Sequence, residues 1–190
     1  TVYATAAGIK RTGSKLFAQR GGQEEGRVLF ALDTRTDRRI RFFTNLGSMY
    51  SIDAEEIPEP KGKQLGSLPA ALFAGWKDGE RIVAAFFFDS YPEDKSLLFF
   101  TKKGLAKRAS LADFDTRNKK YAAIGLKDGD EVVSVAMDNG EPTVLMITTL
   151  GMSIRFPADS IPKMGRTAAG VKAIVLEVGD SVLFAGQIKD

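Results

Sequence analysis

Leu97-Leu98-Phe99-Phe100-Thr101, then Lys102-Lys103-Gly104, then Leu105-Ala106-Lys107-Arg108-Ala109, is the stretch on which the fold turns. Five strand-forming residues, a short polar turn ending in glycine and a second strand-like run read as a β-hairpin, with glycine where the turn needs a positive φ. The same opening recurs as Thr5-Ala6-Ala7-Gly8, Thr44-Asn45-Leu46-Gly47 and Thr148-Thr149-Leu150-Gly151. A second marker, an acidic residue beside a glycine before another apolar run, closes each unit: Glu25-Gly26, Asp78-Gly79, Asp128-Gly129 and, more loosely, Val178-Gly179-Asp180. The closing glycines at 26, 79, 129 and 179 lie 53, 50 and 50 residues apart. A period near 50 suits a four-stranded blade repeated in an array, because one blade cannot bury both of its faces alone.

Laid on that period, the chain is one all-β domain, residues 1–190, with repeats at 1–38, 39–92, 93–140 and 141–190. The expected form is a propeller-like disc of about four four-stranded blades, closed or open. First strands are expected at Val2–Thr5, Ile40–Thr44, Leu97–Thr101 and Val144–Thr148, and second strands at Ile9–Thr12, Met49–Ile52, Leu105–Ala109 and Met152–Phe156. Third strands are expected at Leu65–Phe73, Tyr121–Leu126 and Val171–Leu176, and last strands at Val28–Leu32, Ile82–Phe88, Val132–Met137 and Val182–Ala185. Glu55-Glu56-Ile57-Pro58 and Asp159-Ser160-Ile161-Pro162 read as loops leaving a blade edge, where proline costs no ladder bond.

The 190 residues are 44% hydrophobic, with 13 Phe against a single Trp, a composition able to build a packed core. No apolar run approaches the roughly 18–20 residues of a membrane span, and the longest, Ile82 to Phe88, reads as a buried strand. No secretory pattern is visible at the N-terminus. Without cysteine there is no disulfide framework and no thiolate metal site, which fits a cytoplasmic protein. Without histidine no Ser-His or Cys-His pair and no imidazole metal site can be assembled. Neither cofactor nor metal is expected in this domain.

The net charge is only +3, but the charge is segregated. Thr1 to Gly22 holds Lys10, Arg11, Lys15 and Arg20 and no acid; Thr101 to Lys120 holds seven cations against Asp113 and Asp115. Gly151 to Lys172 holds Arg155, Lys163, Arg166 and Lys172 against Asp159. Within each unit a basic, mostly glycine-containing connection follows the second strand: Gln19-Arg20-Gly21-Gly22, Lys61-Gly62-Lys63, Arg117-Asn118-Lys119-Lys120 and Lys163-Met164-Gly165-Arg166. One such loop is an ordinary solvated turn. Four at the same place, with acids confined to other loops, would lay a positive track along one rim, which a phosphate backbone requires. Lys102-Lys103 and Lys107-Arg108 flank one hairpin turn and are expected on that rim too.

Other patterns resolve into folding chemistry. Phe42-Phe43 and Phe99-Phe100 sit in the densest strand runs and read as core rather than as base-stacking platforms. Asp128-Gly129-Asp130-Glu131 lacks the twelve-residue loop of a calcium site and reads as a hairpin turn. Gln19-Arg20-Gly21-Gly22 is too short for a dinucleotide or P-loop fingerprint.

Phe42-Phe43-Thr44-Asn45-Leu46-Gly47 and Leu98-Phe99-Phe100-Thr101-Lys102-Lys103-Gly104-Leu105-Ala106-Lys107-Arg108 resemble the repeated Phe-Phe-Thr-x-x-Gly element of one family. It is the C-terminal domain of bacterial type IIA topoisomerase A subunits, those of DNA gyrase and topoisomerase IV. Gly8-Ile9-Lys10-Arg11-Thr12 looks like the opening of that family's first blade. The resemblance covers essentially the whole chain and implies a β-pinwheel that binds, bends and wraps duplex DNA around a basic outer edge without cleaving it. It also implies two partners within the enzyme, the rest of the A subunit plus the subunit that hydrolyses ATP. ATP and magnesium would be needed only by the whole enzyme, which would act at the bacterial nucleoid and not at a membrane. Where gyrase A subunits carry a Gln-Arg-Arg-Gly-Gly-Lys-Gly type box, this chain has Ala18-Gln19-Arg20-Gly21-Gly22-Gln23-Glu24. Two missing cations and an added acid make the box degenerate, which points to topoisomerase IV over gyrase. The count of four blades also departs from the family's five or six.

Two other classes compete. A protein-interaction propeller of the WD40 or kelch type shares the period, but no Trp-Asp dipeptide occurs and the only tryptophan is Trp76. A carboxylate-based enzyme on the same scaffold would need an acid pair that the sequence does not single out.

Overall fold

The computed structural model describes residues 1–5, 8–11, 28–59 and 66–189. Among them the chain is all-β. The first repeat supplies β1 (Val2–Thr5), β2 (Gly8–Arg11) and β3 (Val28–Leu32); the second supplies β4 (Arg39–Thr44), β5 (Ser48–Asp53) and β6 (Ile82–Phe87). The third supplies β7 (Ser96–Thr101), β8 (Leu105–Ser110), β9 (Lys120–Ala122) and β10 (Val132–Met137). The fourth supplies β11 (Thr143–Thr148), β12 (Ser153–Pro157), β13 (Val171–Lys172) and β14 (Val182–Ile188). First, second and last strands therefore fall where the sequence places them, to within three residues.

Four sheets result, ordered β2-β1-β3, β6-β4-β5-β9, β10-β7-β8-β13 and β12-β11-β14. The first strand of each repeat is paired on both sides, and all six residues of β7 are buried. Three of the four opening glycines take the positive φ expected of them, +76° at Gly47 and +85° at Gly104 and Gly151, whereas Gly8, at the head of β2, does not.

The third strands differ from expectation. They are two or three residues long where six were expected, and β9 and β13 join the sheets of the preceding repeats rather than their own. Of Leu65–Phe73, expected as a strand, Leu65 lies outside the described residues, and the rest holds a bridge at Ser67 and a one-turn helix, α1 (Pro69–Leu72). Proline at the start of α1 presets its φ and removes no helical bond, so a turn of helix wins there. The two acid-Ile-Pro stretches begin as single 3-10 turns at Ala54–Glu56 and Ala158–Ser160.

Contacts cluster into two compact units. One is made of Thr1–Phe42, Tyr50–Glu80 and Ala85–Phe88, the other of Phe43–Met49, Arg81–Ala84 and Asp89–Asp190. In the first, Phe42 and Tyr50 pack on Phe73, and Tyr50 stands against Trp76 with its hydroxyl donating to Glu80. In the second, Phe43, Phe99 and Phe114 form an aromatic cluster, and Phe100 packs among Leu98, Val144, Met146, Ile161 and Ile174 in another that is largely aliphatic. The Phe pairs are core, as their setting in the sequence predicts.

In the second unit, the exchange of third strands repeats bond for bond. The Ala123 and Ile124 N–H groups donate to Gly47 O at 2.8 and 3.3 Å; those of Ala173 and Ile174 donate to Gly104 O at 2.8 and 3.3 Å. The Ile124 and Ile174 Cγ2 atoms lie 3.0 and 2.8 Å from where a Cβ on Gly47 and Gly104 would stand. Glycine is thus required there for φ and for close approach. Gly151 has the same φ, yet among the described residues nothing lies within 4 Å of where its Cβ would stand, and β12 carries no further strand. Gly104→Ala should therefore cost more than Gly151→Ala. Both strain the backbone by about 1–3 kcal/mol, but only the first also displaces Ile174. Equal losses in urea denaturation would show that the exchange contributes nothing at that point.

Candidate nucleic-acid interface

The second unit also shows which cations are exposed and which are held by acids or carbonyls. Asp130 and Asp180, each directly after a positive-φ glycine, act as latches. Asp130 Oδ1 accepts from the Lys103 and Glu131 N–H groups at 2.9 and 2.8 Å, and Asp180 Oδ1 from those of Leu150 and Ser181 at 3.0 and 2.8 Å. Glu131 receives the Asn45 amide at 2.9 Å, Arg81 at 2.7 Å and Lys102 at 3.5 Å. The Asn45 hydrogen bond, against the opposing effect of burial and with help from the Arg81 and Lys102 charges, holds the Glu131 carboxyl below its ordinary 4.5.

That arrangement corrects one expectation. Lys102 pairs with Glu131, and Lys103 Nζ donates to Asp128 O at 2.6 Å, so this hairpin turn faces the acidic turn rather than the basic connections. Lys107, expected on the rim, is fully buried. Its ammonium donates to Ala123 O at 3.1 Å, Gly165 O at 3.4 Å and Arg166 O, and lies 5.1 Å from the centre of the Phe99 ring. All three N–H donors are used, so none is left for a phosphate. Burial, offset by Asp113 and reinforced by Arg166, brings its pKa from 10.5 down to about 8. Arg108 is likewise committed, with Nη1 2.8 Å from Asp138 and Nη2 donating to Ala158 O at 2.7 Å. The cleft of about 360 Å³ beside it is lined by Asp138, Glu141 and Asp159, surroundings that would repel a phosphate.

Arg166 of the fourth basic connection reaches β9, the strand into which the third connection runs. Arg166 lays its guanidinium 4.4 Å over the Tyr121 ring, and its Nη1 donates to Ala122 O at 2.5 Å, on the strand that Lys120 opens. Arg117 and Lys119 are exposed just before it, and Lys120 is half-buried. Lys163 is exposed, with Nζ donating to Glu93 O at 2.7 Å, an attachment that leaves two of its donors. Arg155 on β12 and Lys172 on β13 are exposed. In the first unit Lys10 is half-buried, and Arg11 binds Ile57 O at 3.2 Å and Glu59 at 3.4 Å. Lys15, Gln19, Arg20, Gly21, Gly22, Lys61 and Lys63 lie outside the described residues. Tyr121, as a platform for Arg166, carries no motif that marks it. The latch acids are visible only when the residue after each closing glycine is compared across repeats.

Among the described residues no group of three His, Cys, Asp or Glu could hold a metal, and no helix is long and apolar enough to cross a membrane.

A family model described as DNA gyrase C-terminal domain, beta-propeller, matches residues 42–69, 95–137 and 142–189. The A subunit of DNA gyrase from Halalkalibacterium halodurans is 37% identical over 155 residues, which cover 81% of this chain and 18% of the relative. The A subunit of DNA topoisomerase 4 from Bacillus subtilis is 33% identical over 187 residues, covering 95% and 23%. The chain thus spans about a fifth of the length of these relatives. A solved C-terminal domain of DNA topoisomerase IV superposes over 100% of this chain and 61% of its own, with a TM-score of 0.87 and 26% identity. The solved C-terminal domain of DNA gyrase A, at a TM-score of 0.65 and 22% identity over 97% and 63%, shares the fold.

Proposed function

Since the chain belongs to the DNA gyrase C-terminal domain family, we propose that it binds duplex DNA without sequence preference and bends it, as a non-catalytic part of a type II topoisomerase. The observation that carries this reading is Arg166 of the fourth basic connection seated on β9, the strand into which the third connection, with Arg117, Lys119 and Lys120, runs. Exposed cations gathered there, with Lys102 and Lys103 already matched by the acidic turn, form the kind of surface a phosphate backbone seeks. DNA cleavage and ATP hydrolysis belong, on this reading, to other parts of the enzyme, and this domain uses neither ATP nor magnesium. Its place of work is the cytoplasmic nucleoid.

Of the two family branches we favour topoisomerase IV. Gln19, Gln23 and Glu24 dilute the basic box that would grip DNA chirally. No observation favours a WD40- or kelch-type interaction scaffold. Two measurements decide. A duplex of several helical turns should bind at low salt; absence of binding there overturns the proposal. Ligation of nicked plasmid with the domain bound should leave writhe near zero, whereas positive writhe would assign gyrase-like wrapping.

A further inference from the structure

We propose that Lys107 is a positioning residue for DNA binding: buried beneath the fourth basic connection, it fixes that connection's main chain against the third-strand segment before it, and so holds Lys163 and Arg166 in place. This rests on the duplex-binding reading above and adds to it a residue that touches no DNA.

The geometry is specific. Residues 162–168 run as a loop with no ladder of their own. They are tied at one end to β8, where the Arg108 N–H donates to Pro162 O at 3.1 Å and the Met164 N–H to Arg108 O at 2.8 Å. At the other end the loop passes so close to Gly125 that a Cβ there would stand 2.2 Å from Thr167 O. Between these anchors Gly165 O accepts from the Ala168 N–H at 3.0 Å as well as from Lys107, while Arg166 O accepts from Lys107, and a carbonyl that loses its donor away from water is costly. Lys107 Nζ supplies donors to both, and its third donor goes to Ala123 O on the neighbouring segment. One ammonium therefore ties two chain segments 42 residues apart, Ala123 and Gly165, to the middle of β8. The Phe99 face closes its fourth side.

The position has a reason to be charged. A buried lysine is expensive, and a neutral apolar residue of the same length would fill the space at lower desolvation cost. What an apolar side chain cannot do is donate to three carbonyls at once. Directly above, Arg166 crosses from the loop to Tyr121 and Ala122, and Lys163 reaches Glu93 O. The side chains that would meet phosphate are thus carried on the main chain that Lys107 holds.

The test compares the full 190-residue chain with Lys107→Met and Lys107→Arg. In Lys107→Met, amide hydrogen exchange should quicken at residues 163–168 and stay unchanged in β7. Duplex affinity should drop roughly five- to ten-fold at temperatures where the variant is fully folded. The slope of log affinity against log salt should flatten by about 1, as one phosphate contact is lost. Lys163→Ala should weaken the parent chain but add little in the Lys107→Met background, and Lys107→Arg should recover most of the affinity. If Lys107→Met fails to fold, Lys107→Gln, which keeps two donors, takes its place with the same expectations. Unchanged exchange at 163–168, or additive losses for positions 107 and 163, would falsify the proposal. Failure of the parent chain to bind any duplex would instead remove the DNA-binding reading and the functional half of this inference, leaving the exchange result to stand for the positioning alone.

Discussion

Between about 50 and 200 mM monovalent salt, affinity for a duplex of several turns is expected to drop roughly 10³-fold. The candidate phosphate contacts among the described residues are Arg117, Lys119, Lys120, Arg155, Lys163, Arg166 and Lys172. If about six of them engage, counterion release sets a slope near −5 in log affinity against log salt. Lys102, Lys103, Lys107 and Arg108 are left out because Glu131, the Asp128 carbonyl, three buried carbonyls and Asp138 already hold them. The two sets make the expectation sharp. Charge reversal at Lys119 and Lys120 should weaken every duplex alike and flatten the slope, while reversal at Lys102 should leave the slope unchanged. A slope shallower than about −2 in the parent chain would mean that the basic connections do not track a backbone. A strong preference among sequences would be equally damaging.

The largest stability loss is expected from Phe99→Ala. The ring is buried, packs at 5.8 Å from Phe43 and 5.9 Å from Phe114, and covers the Lys107 ammonium at 5.1 Å. Truncating a buried Phe costs about 3–5 kcal/mol through lost burial and the cavity left behind. Here the ammonium also loses the face that shields it, so the upper end of that range applies. Against a total of roughly 5–15 kcal/mol, this brings the chain near the edge of folding. Urea denaturation reads the loss directly, with exposed Leu150→Ala as a control expected within about 0.5 kcal/mol. A loss below about 1 kcal/mol at Phe99 would mean that the aromatic cluster is not a core.

Strands, turns and the Phe core were legible because they are local. Apolar runs of five residues and positive-φ glycines carry their own signal, so β7, β8 and β10 lie where Leu97–Thr101, Leu105–Ala109 and Val132–Met137 predict. The destination of the third strands was not legible. Two or three residues have too little pattern to name a partner, and β13 pairs with β8 some 65 residues before it (Val171 with Ala106) through main-chain groups that every residue shares. The basic connections could be read from their cations, but the fate of each cation could not. Lys107 is buried because carbonyls 16, 58 and 59 residues away converge on it. Lys102 is matched by an acid 29 residues on. Charge in a sequence marks supply, and only the fold shows what consumes it.

The junctions between repeats are directional. In the second unit the turns at Gly47 and Gly104 each receive a segment of the next repeat, so both junctions have a giving and a receiving side, and the two are not interchangeable. Ala123-Ile124 and Ala173-Ile174 fit the same socket with the same two bonds, which makes those sockets interchangeable parts. Removing one whole repeat would bring a giver to a receiver it already matches, whereas removing half a repeat would leave both mismatched. Chains built this way can change length in whole steps of about 50 residues without inventing a new interface, and the number of steps sets how many basic connections are strung along them.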